Sequence, residues 1–470
     1  MTPRDATFDL AVIGGGSAGF AAAIKGAELG ARVALIEGGT LGGTCVNVGC
    51  VPSKTLIRAA ESLHRRSHHP FEGIPSTDGR PEWNLVRAAK DELVARLRTA
   101  KYEDVLQSYE SVTVLRQRAR FTGANAIALA DGATITVQRS VITTGASPWC
   151  PDIPGLAAAG ALDSQSAMDL GELPRSLIVI GGSAVGLELG QTFSRLGVSV
   201  IVLEAAPVLL PAEDPAIGEG LAGYLSAEGM TVHTGVQVER VERGSGYTVF
   251  FRDGSESRSV EAEQLLVATG RRANTRALGL DAAGVRLGAR GEIMVDEHLM
   301  TSAAAIYAAG DVTGDPMFVY VAAYAGNVAA ENALGDNSRS YDLTAVPRVT
   351  FTDPSVASVG LTEQEATRKG IEPIASTLGL EHVPRALAAR DTRGFVRLVA
   401  DGPTRRLIGG QILAAEAGEM ITEVSLAIRF QLTIEDLATA FHPYLTLSEG
   451  IKLAAQAFSK DVSKLSCCAA

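Results

Sequence analysis

Four of the five cysteines in this 470-residue sequence fall into two pairs, Cys45 with Cys50 and Cys467 with Cys468. Thiolates exchange with disulfides and bind soft metal ions, so each pair could carry redox or metal chemistry. The first pair stands in CVNVGCVPSK, five residues apart. On a regular helix that spacing leaves the Cα atoms roughly 8.7 Å apart and on different faces, too far for a disulfide. A disulfide therefore needs a distorted helix start, which Gly49 permits and Pro52 encourages. A helix N-terminus would also favour the thiolate. Two buried structural cysteines are the alternative, and the nucleotide motif just upstream favours a redox pair. The second pair lies two residues from the end of the chain, where domains are usually least ordered. It is either a frayed end or a carrier. Cys150, in SPWCPDIPG, reads as incidental.

The elements around the first pair have a recognisable order. The run FDLAVI reads as a buried parallel strand, and Gly14, Gly16 and Gly19 follow in GxGxxG spacing before an Ala-rich helix. A second strand, RVALIE, ends on Glu37. Strand, tight turn, helix and acid together form a dinucleotide fingerprint: glycines admit a pyrophosphate at a helix N-terminus, and the acid reaches a ribose hydroxyl. The unit repeats with Gly181, Gly186 and Glu204, and first glycine and acid are 23 residues apart in both copies. Ser183 replaces the middle glycine in the second. Two further strands end on Thr-Gly, at Thr144–Gly145 and Thr269–Gly270, and AAIYAAGDVTG sets Asp311 at a strand end. Ligands of open α/β sheets bind at such ends. From about Val346 the texture changes. PRVTFTDPSVASVGLTEQEA, GFVRLVA and LIGGQILA read as strands joined by turns, and AGEMITEVSLAIRFQ, TIEDLATA and TLSEGIKLAAQAFSK read as helices.

Composition narrows the classes. Hydrophobic residues at 46% and charged residues at 20% suit a soluble globular enzyme. A net charge of −11 argues against a nucleic-acid partner. The opening residues lack a basic region, apolar stretch and cleavage site, and no apolar run is long enough for a membrane span. A cytoplasmic protein is expected. ESLHRRSHHP reads as a solvated helix end.

GGGSAG at 14–19, CVNVGCVPSK at 45–54, ATG at 268–270 and GDV at 310–312 resemble the flavin disulfide oxidoreductases over essentially the whole chain. The resemblance implies an α/β fold with two Rossmann-like dinucleotide-binding domains and a C-terminal α+β dimerisation domain. The boundaries would be 1–150 and 273–344 for FAD, 151–272 for the nicotinamide nucleotide and 345–470 for dimerisation. It implies FAD contacts at Gly14, Gly16, Gly19, Glu37, Gly39, Thr44, Thr144, Gly145, Asp311 and Val319, and a cofactor contact at Gly270. Gly181, Gly186 and Glu204 would hold the nicotinamide nucleotide. Cys45 would be the thiol that meets substrate and Cys50 the thiolate against the flavin, with Lys54 near the flavin edge and paired to Glu188.

Members acting on dithiols end in His-x-His-Pro-Thr-x-Ser-Glu, and the second His is the acid/base. Here the segment is HPYLTLSE, and Tyr444 stands at that position. The last thirty residues closely resemble those of the mercuric reductases within this family, terminal cysteine pair included. That likeness implies Hg(II) as substrate, held by Cys45, Cys50, Cys467 and Cys468, in a homodimer whose tail and Tyr444 serve the partner subunit. The first fingerprint starts near residue 8, so no N-terminal metal-carrier module is expected. NADPH is the norm for such enzymes, but Glu204, followed by AAPVLLP with no base, opens NADH. Two alternatives remain. A dithiol oxidoreductase of the lipoamide dehydrogenase type is favoured by Glu204 and disfavoured by Tyr444 and the tail. A thiol-based metal-sequestering protein would need a damaged flavin fingerprint.

Overall fold

The computed structural model describes residues 7–77, 79–314 and 316–461. The first apolar run forms strand β1 (Thr7–Ile13), followed by helix α1 (Ser17–Glu28) and strand β2 (Val33–Ile36). β1 lies parallel between β2 and the strand Thr134–Ile142. It is covered on both faces, which is why it carries few polar residues. The strand Ile306–Ala308 returns to the same sheet, parallel to Thr134–Ile142. Asp311, just past its end, thereby comes back to the region of the first glycine turn.

After β2 the chain makes helices α2 (Gly43–Val48), α3 (Cys50–Ser67) and α4 (Trp83–Arg98). α3 leans away from the first sheet. Leu56 and Ala60 on α3 pack with Leu177, Val179, Leu187 and Phe193 of the second nucleotide unit. Full burial of Leu56 stabilises by about 2 kcal/mol. Trp83, at the start of α4, donates its indole N–H to the Leu170 carbonyl at 2.8 Å.

The second unit has a four-stranded parallel sheet in the order Thr231–His233, Ser199–Leu203, Ser176–Ile180, Gln264–Val267. The helix Ala184–Arg195 follows its glycine turn. An antiparallel meander, Val236–Arg243, Tyr247–Asp253 and Glu256–Ala262, is inserted before the last strand. Sequence patterning did not single this meander out: its last strand, Glu256–Ala262, is exposed along most of its length and reads as a polar segment.

The C-terminal unit is a five-stranded antiparallel sheet backed by the helices Ala417–Arg429, Ile434–Thr439 and Glu449–Gln456, where helices were expected. Two details differ from expectation. TEQEA is no part of a strand: Thr362 and Glu365 form a capping box that starts a helix, Glu363–Arg368. Pro373–Gly379 adds an unforeseen strand at the sheet edge. Among the described residues no helix is long and apolar enough to cross a membrane.

The two glycine turns are near copies. A Cβ on Gly19 would lie 1.7 Å from the Gly14 carbonyl oxygen, and one on Gly186 would lie 2.0 Å from that of Gly181. Helix and strand touch there, so only glycine fits. Gly16 differs. A Cβ would meet only the Gly43 Cα, at 3.7 Å, so its bareness answers to something outside the fold. We therefore expect Gly19→Ala to lower stability by about 1–3 kcal/mol, read from thermal unfolding. Gly16→Ala should fold as well as the parent apoprotein but lose flavin, because the methyl takes the space of the pyrophosphate. Full flavin content in Gly16→Ala would remove that role from the turn.

Candidate active site

Cys45 and Cys50 meet because the helix between them breaks. α2 ends at Val48, and α3 begins at Cys50. Gly49 joins them at φ −130°, ψ −104°, far from helical values. A side chain at Gly49 would press on Thr44, with a Cβ 3.0 Å from its carbonyl oxygen. Asn47 fixes the short helix from its far side, donating to the Leu41 carbonyl at 3.0 Å and the Gly43 carbonyl at 2.9 Å. Its side-chain oxygen accepts from Arg98 on α4 at 3.2 Å.

Both sulfurs are present as thiols, and they share a hydrogen bond. The bond from Cys45 lowers the Cys50 pKa to about 7, helped by the Lys54 charge and opposed by burial. The same bond, with burial, raises Cys45 far above the ordinary thiol range. One proton therefore serves the pair near neutral pH: Cys45 is the thiol, and Cys50, at the first position of α3, is the thiolate.

Lys54 lies one turn along α3. Its ammonium donates to Glu188 Oε2 at 2.6 Å and sits 4.5 Å from the Phe351 ring centroid. The other Glu188 oxygen accepts the Phe351 backbone N–H at 2.9 Å. The Glu188 carboxylate is 6% exposed. This small cluster joins α3, the second nucleotide unit and the C-terminal unit, behind the thiolate.

The nucleotide acids match each other. Glu37 accepts the backbone N–H of Gly15 at 2.5 Å and of Gly39 at 2.6 Å. Glu204 accepts those of Gly182 at 2.5 Å and Ala206 at 2.6 Å. Ser183 is exposed at the N-cap of its helix, in the same extended conformation as Gly16, so serine costs the second turn nothing. Thr144 is tied down by Asn274: its hydroxyl donates to the Asn274 carbonyl at 2.8 Å, and the Asn274 amide returns a bond at 2.9 Å. Gly145 accepts the Asn274 backbone N–H at 2.9 Å, and Gly270 accepts that of Trp149 at 3.0 Å. Val319 opens the helix Val319–Leu334, which packs on α1. The Gly16–Gly43 gap, the Glu37 carboxylate and the returning Asp311 form a cradle whose donors and acceptors fit FAD.

Residues 8–326 match the family described as pyridine nucleotide-disulphide oxidoreductase, and residues 346–455 match its dimerisation domain. The chain belongs to the pyridine nucleotide-disulphide oxidoreductases. It is 46% identical to a mercuric reductase of Staphylococcus aureus, over 99% of this chain and 85% of the relative. It is also 46% identical to that of Streptomyces lividans, over 98% of both, and 48% identical to that of Shigella flexneri, over all of this chain and 84% of the relative. Among solved structures, the Cu(II) complex of the HOCl-induced flavoprotein disulfide reductase RclA from Escherichia coli superposes with a TM-score of 0.86 at 31% identity, covering 96% of this chain and 99% of that one. As a member of this family the protein is a flavin-dependent oxidoreductase that works with a nicotinamide nucleotide.

Other parts of this oxidoreductase site escaped the sequence reading. Tyr102 lies in a π-helical turn, Thr99–Glu103, at the end of α4. Its phenol meets Ser17 and feels both Cys45 and Cys50, and burial raises its pKa. Its ring stands 4.7 Å from that of Phe20. Such turns recur at functional sites, but no residue pattern in TAKYE announces one. Arg271 follows the ATG strand end. Its guanidinium is 4.0 Å from Asp311 and 3.4 Å from the Thr44 hydroxyl, and it feels the Cys50 charge.

Tyr444 sits on the surface, 56% exposed, in the turn before the Glu449–Gln456 helix. Phe441 and Leu445 beside it are exposed as well. Cys467 and Cys468 lie outside the described residues. Cys150 is exposed, with its sulfur 3.8 Å from the Pro151 carbonyl. His64 and His68 stack at the end of α3, and among the described residues no group of three metal-ligand side chains converges.

The Lys54 charge favours the Cys50 thiolate, and that of Glu188 opposes it. Lys54→Met removes the first and leaves the second alone, so both changes act in one direction. The Cys50 titration should move upward from about 7 in the reduced protein, followed by thiolate absorbance or by alkylation rate against pH. An unchanged titration would mean that the Cys45 hydrogen bond alone sets it.

Proposed function

We propose that this protein reduces Hg(II) to elemental mercury. The reduced nicotinamide gives up a hydride, two electrons reach the metal, and one proton is released. Bound FAD supplies the two-electron relay between the nicotinamide and the cysteine pair. The chain's own residues do the rest. Cys50 supplies a thiolate near neutral pH, and Cys45 becomes the second when its proton leaves. Hg(II) is soft and prefers thiolates. The Tyr102 phenol, which feels the charge of both cysteines, offers an oxygen ligand on the way in.

One observation favours a metal substrate over a dithiol. A dithiol substrate needs a proton shuttle, and the turn that would carry it has Tyr444 in that place. The nearby His442 is not free to act instead, because both ring nitrogens are engaged, with Glu423 Oε1 at 2.7 Å and the Ala440 carbonyl at 3.3 Å.

The exposed turn around Tyr444 and the dimerisation domain support a homodimer in which Tyr444 and the Cys467–Cys468 tail of one subunit serve the Cys45–Cys50 pair of the other. The terminal cysteines take Hg(II) from other thiols by ligand exchange and hand it inward. A cytosolic setting, where nicotinamide and thiols are kept reduced, suits this chemistry. For the nicotinamide, Glu204 copies the hydrogen-bonding of Glu37, whose partner in FAD is a ribose without a 2′-phosphate. A carboxylate in that setting accepts a 2′-hydroxyl and repels a phosphate. NADH is therefore a competent donor alongside the NADPH usual for mercuric reductases.

Release of mercury vapour by the purified flavoprotein tests this reading. Hg(II) should be turned over with NADH as well as NADPH, and Cys45→Ser should abolish turnover while flavin stays bound. Cys467→Ala/Cys468→Ala should turn over poorly when Hg(II) is presented on excess thiol and nearly normally when it is presented as the bromide. Absence of vapour, with disulfide-dependent oxidation of reduced nicotinamide or dithiol-dependent reduction of oxidised nicotinamide intact, would favour a dithiol oxidoreductase.

A further inference from the structure

His442 is held in a way that fixes its charge. Its side chain is 5% exposed. One ring nitrogen lies 2.7 Å from Glu423 Oε1 and the other 3.3 Å from the Ala440 carbonyl oxygen. A carbonyl and an ionised carboxylate can only accept, so both nitrogens must donate, and only the imidazolium has two N–H groups. The bond to Glu423 ties the turn to the Ala417–Arg429 helix, and the bond to Ala440 ties it to the end of the Ile434–Thr439 helix.

The turn needs such a tie. Leu445 adopts φ +62°, a left-handed conformation that a bulky residue holds only when its surroundings impose it. Phe441 is fully exposed, hence packing within the subunit does not hold it. Inside the turn, the Thr446 hydroxyl donates to the Pro443 carbonyl at 2.9 Å.

We propose that the His442–Glu423 pair is a latch that sets the Phe441–Leu445 turn in the shape that presents Tyr444 to a second copy of the chain. His442 is a positioning residue: it acts through Tyr444 and does not meet the metal. The inference rests on the reading of Tyr444 given above. The charged groups facing His442 are Glu423, from the Ala417–Arg429 helix, and Lys452, from the Glu449–Gln456 helix. Hydrogen bonding to Glu423 outweighs burial and the Lys452 charge, so the His442 pKa is raised above that of a free histidine. A raised pKa means that the latch is fully closed below the ordinary histidine pKa. It opens as pH climbs through the folded value.

Two measurements on the flavin-loaded dimer test the latch. With 15N-histidine labelling, NMR should find both His442 nitrogens protonated near neutral pH, and Glu423→Gln should bring its titration down to the ordinary histidine range. In turnover, His442→Gln should lose roughly tenfold in mercury reduction while flavin reduction by nicotinamide and dimer mass stay unchanged. The alkaline fall of the wild-type profile should flatten with it. A His442 ring carrying one proton at neutral pH would overturn the proposal, as would an alkaline fall that persists in His442→Gln. Wild-type turnover by Tyr444→Phe, with the imidazolium intact, would sink the reading of Tyr444 and leave the latch supported as a loop contact.

Discussion

The hydrogen bond between Cys45 and Cys50 is the constraint on which the rest of the site depends. Two sulfurs five residues apart cannot touch on an unbroken helix. The chain has to leave the helix at Gly49 and start a new one at Cys50. That break gives the two thiols different electrostatic addresses. Cys50 takes the helix start and the Lys54 charge, and Cys45 keeps the proton. A symmetric pair would have no preferred thiolate, and an unbroken helix would have no pair at all.

Holding the new helix is the work of distant segments. Lys54 reaches Glu188 in the second nucleotide unit, and Glu188 also takes the Phe351 N–H from the C-terminal unit. A buried carboxylate costs several kcal/mol unless paired and hydrogen-bonded, and here each of its oxygens has a partner. Below it, Arg195, Glu228, Asp353 and Arg393 form an ion network between the same two units. The cysteine helix is therefore clamped at the junction of three units, where nucleotide-borne electrons and an incoming substrate have to meet.

Much of this was legible in residue order because it is local. The glycine turns, the acids at strand ends and the helix start at Cys50 each follow from a few neighbouring residues, and the two nucleotide units repeat the same geometry down to the bonds of Glu37 and Glu204. The Lys54–Glu188 pair, 134 residues apart, became readable only through family resemblance. Tyr102 and Arg271 were not read. One depends on a π-helical turn that no composition marks, and the other is brought beside Thr44 and Asp311 only when the strand Arg271–Ala273 pairs with Ala146–Pro148. His442 opens the segment HPYLTLSE, in which Tyr444 takes the acid/base position. The two acceptors of His442, on separate helices, are invisible without the fold.

The central claim is that one proton divides the pair into a Cys50 thiolate and a Cys45 thiol. The most direct test is the long-wavelength absorbance of the flavin-loaded protein near neutral pH, compared in Cys45→Ser and Cys50→Ser with the flavin left oxidised, each variant keeping one free cysteine of the pair. A thiolate-to-flavin charge-transfer band that persists in Cys45→Ser and vanishes in Cys50→Ser is the predicted result. A band that survives in Cys50→Ser and is lost in Cys45→Ser would contradict the assignment.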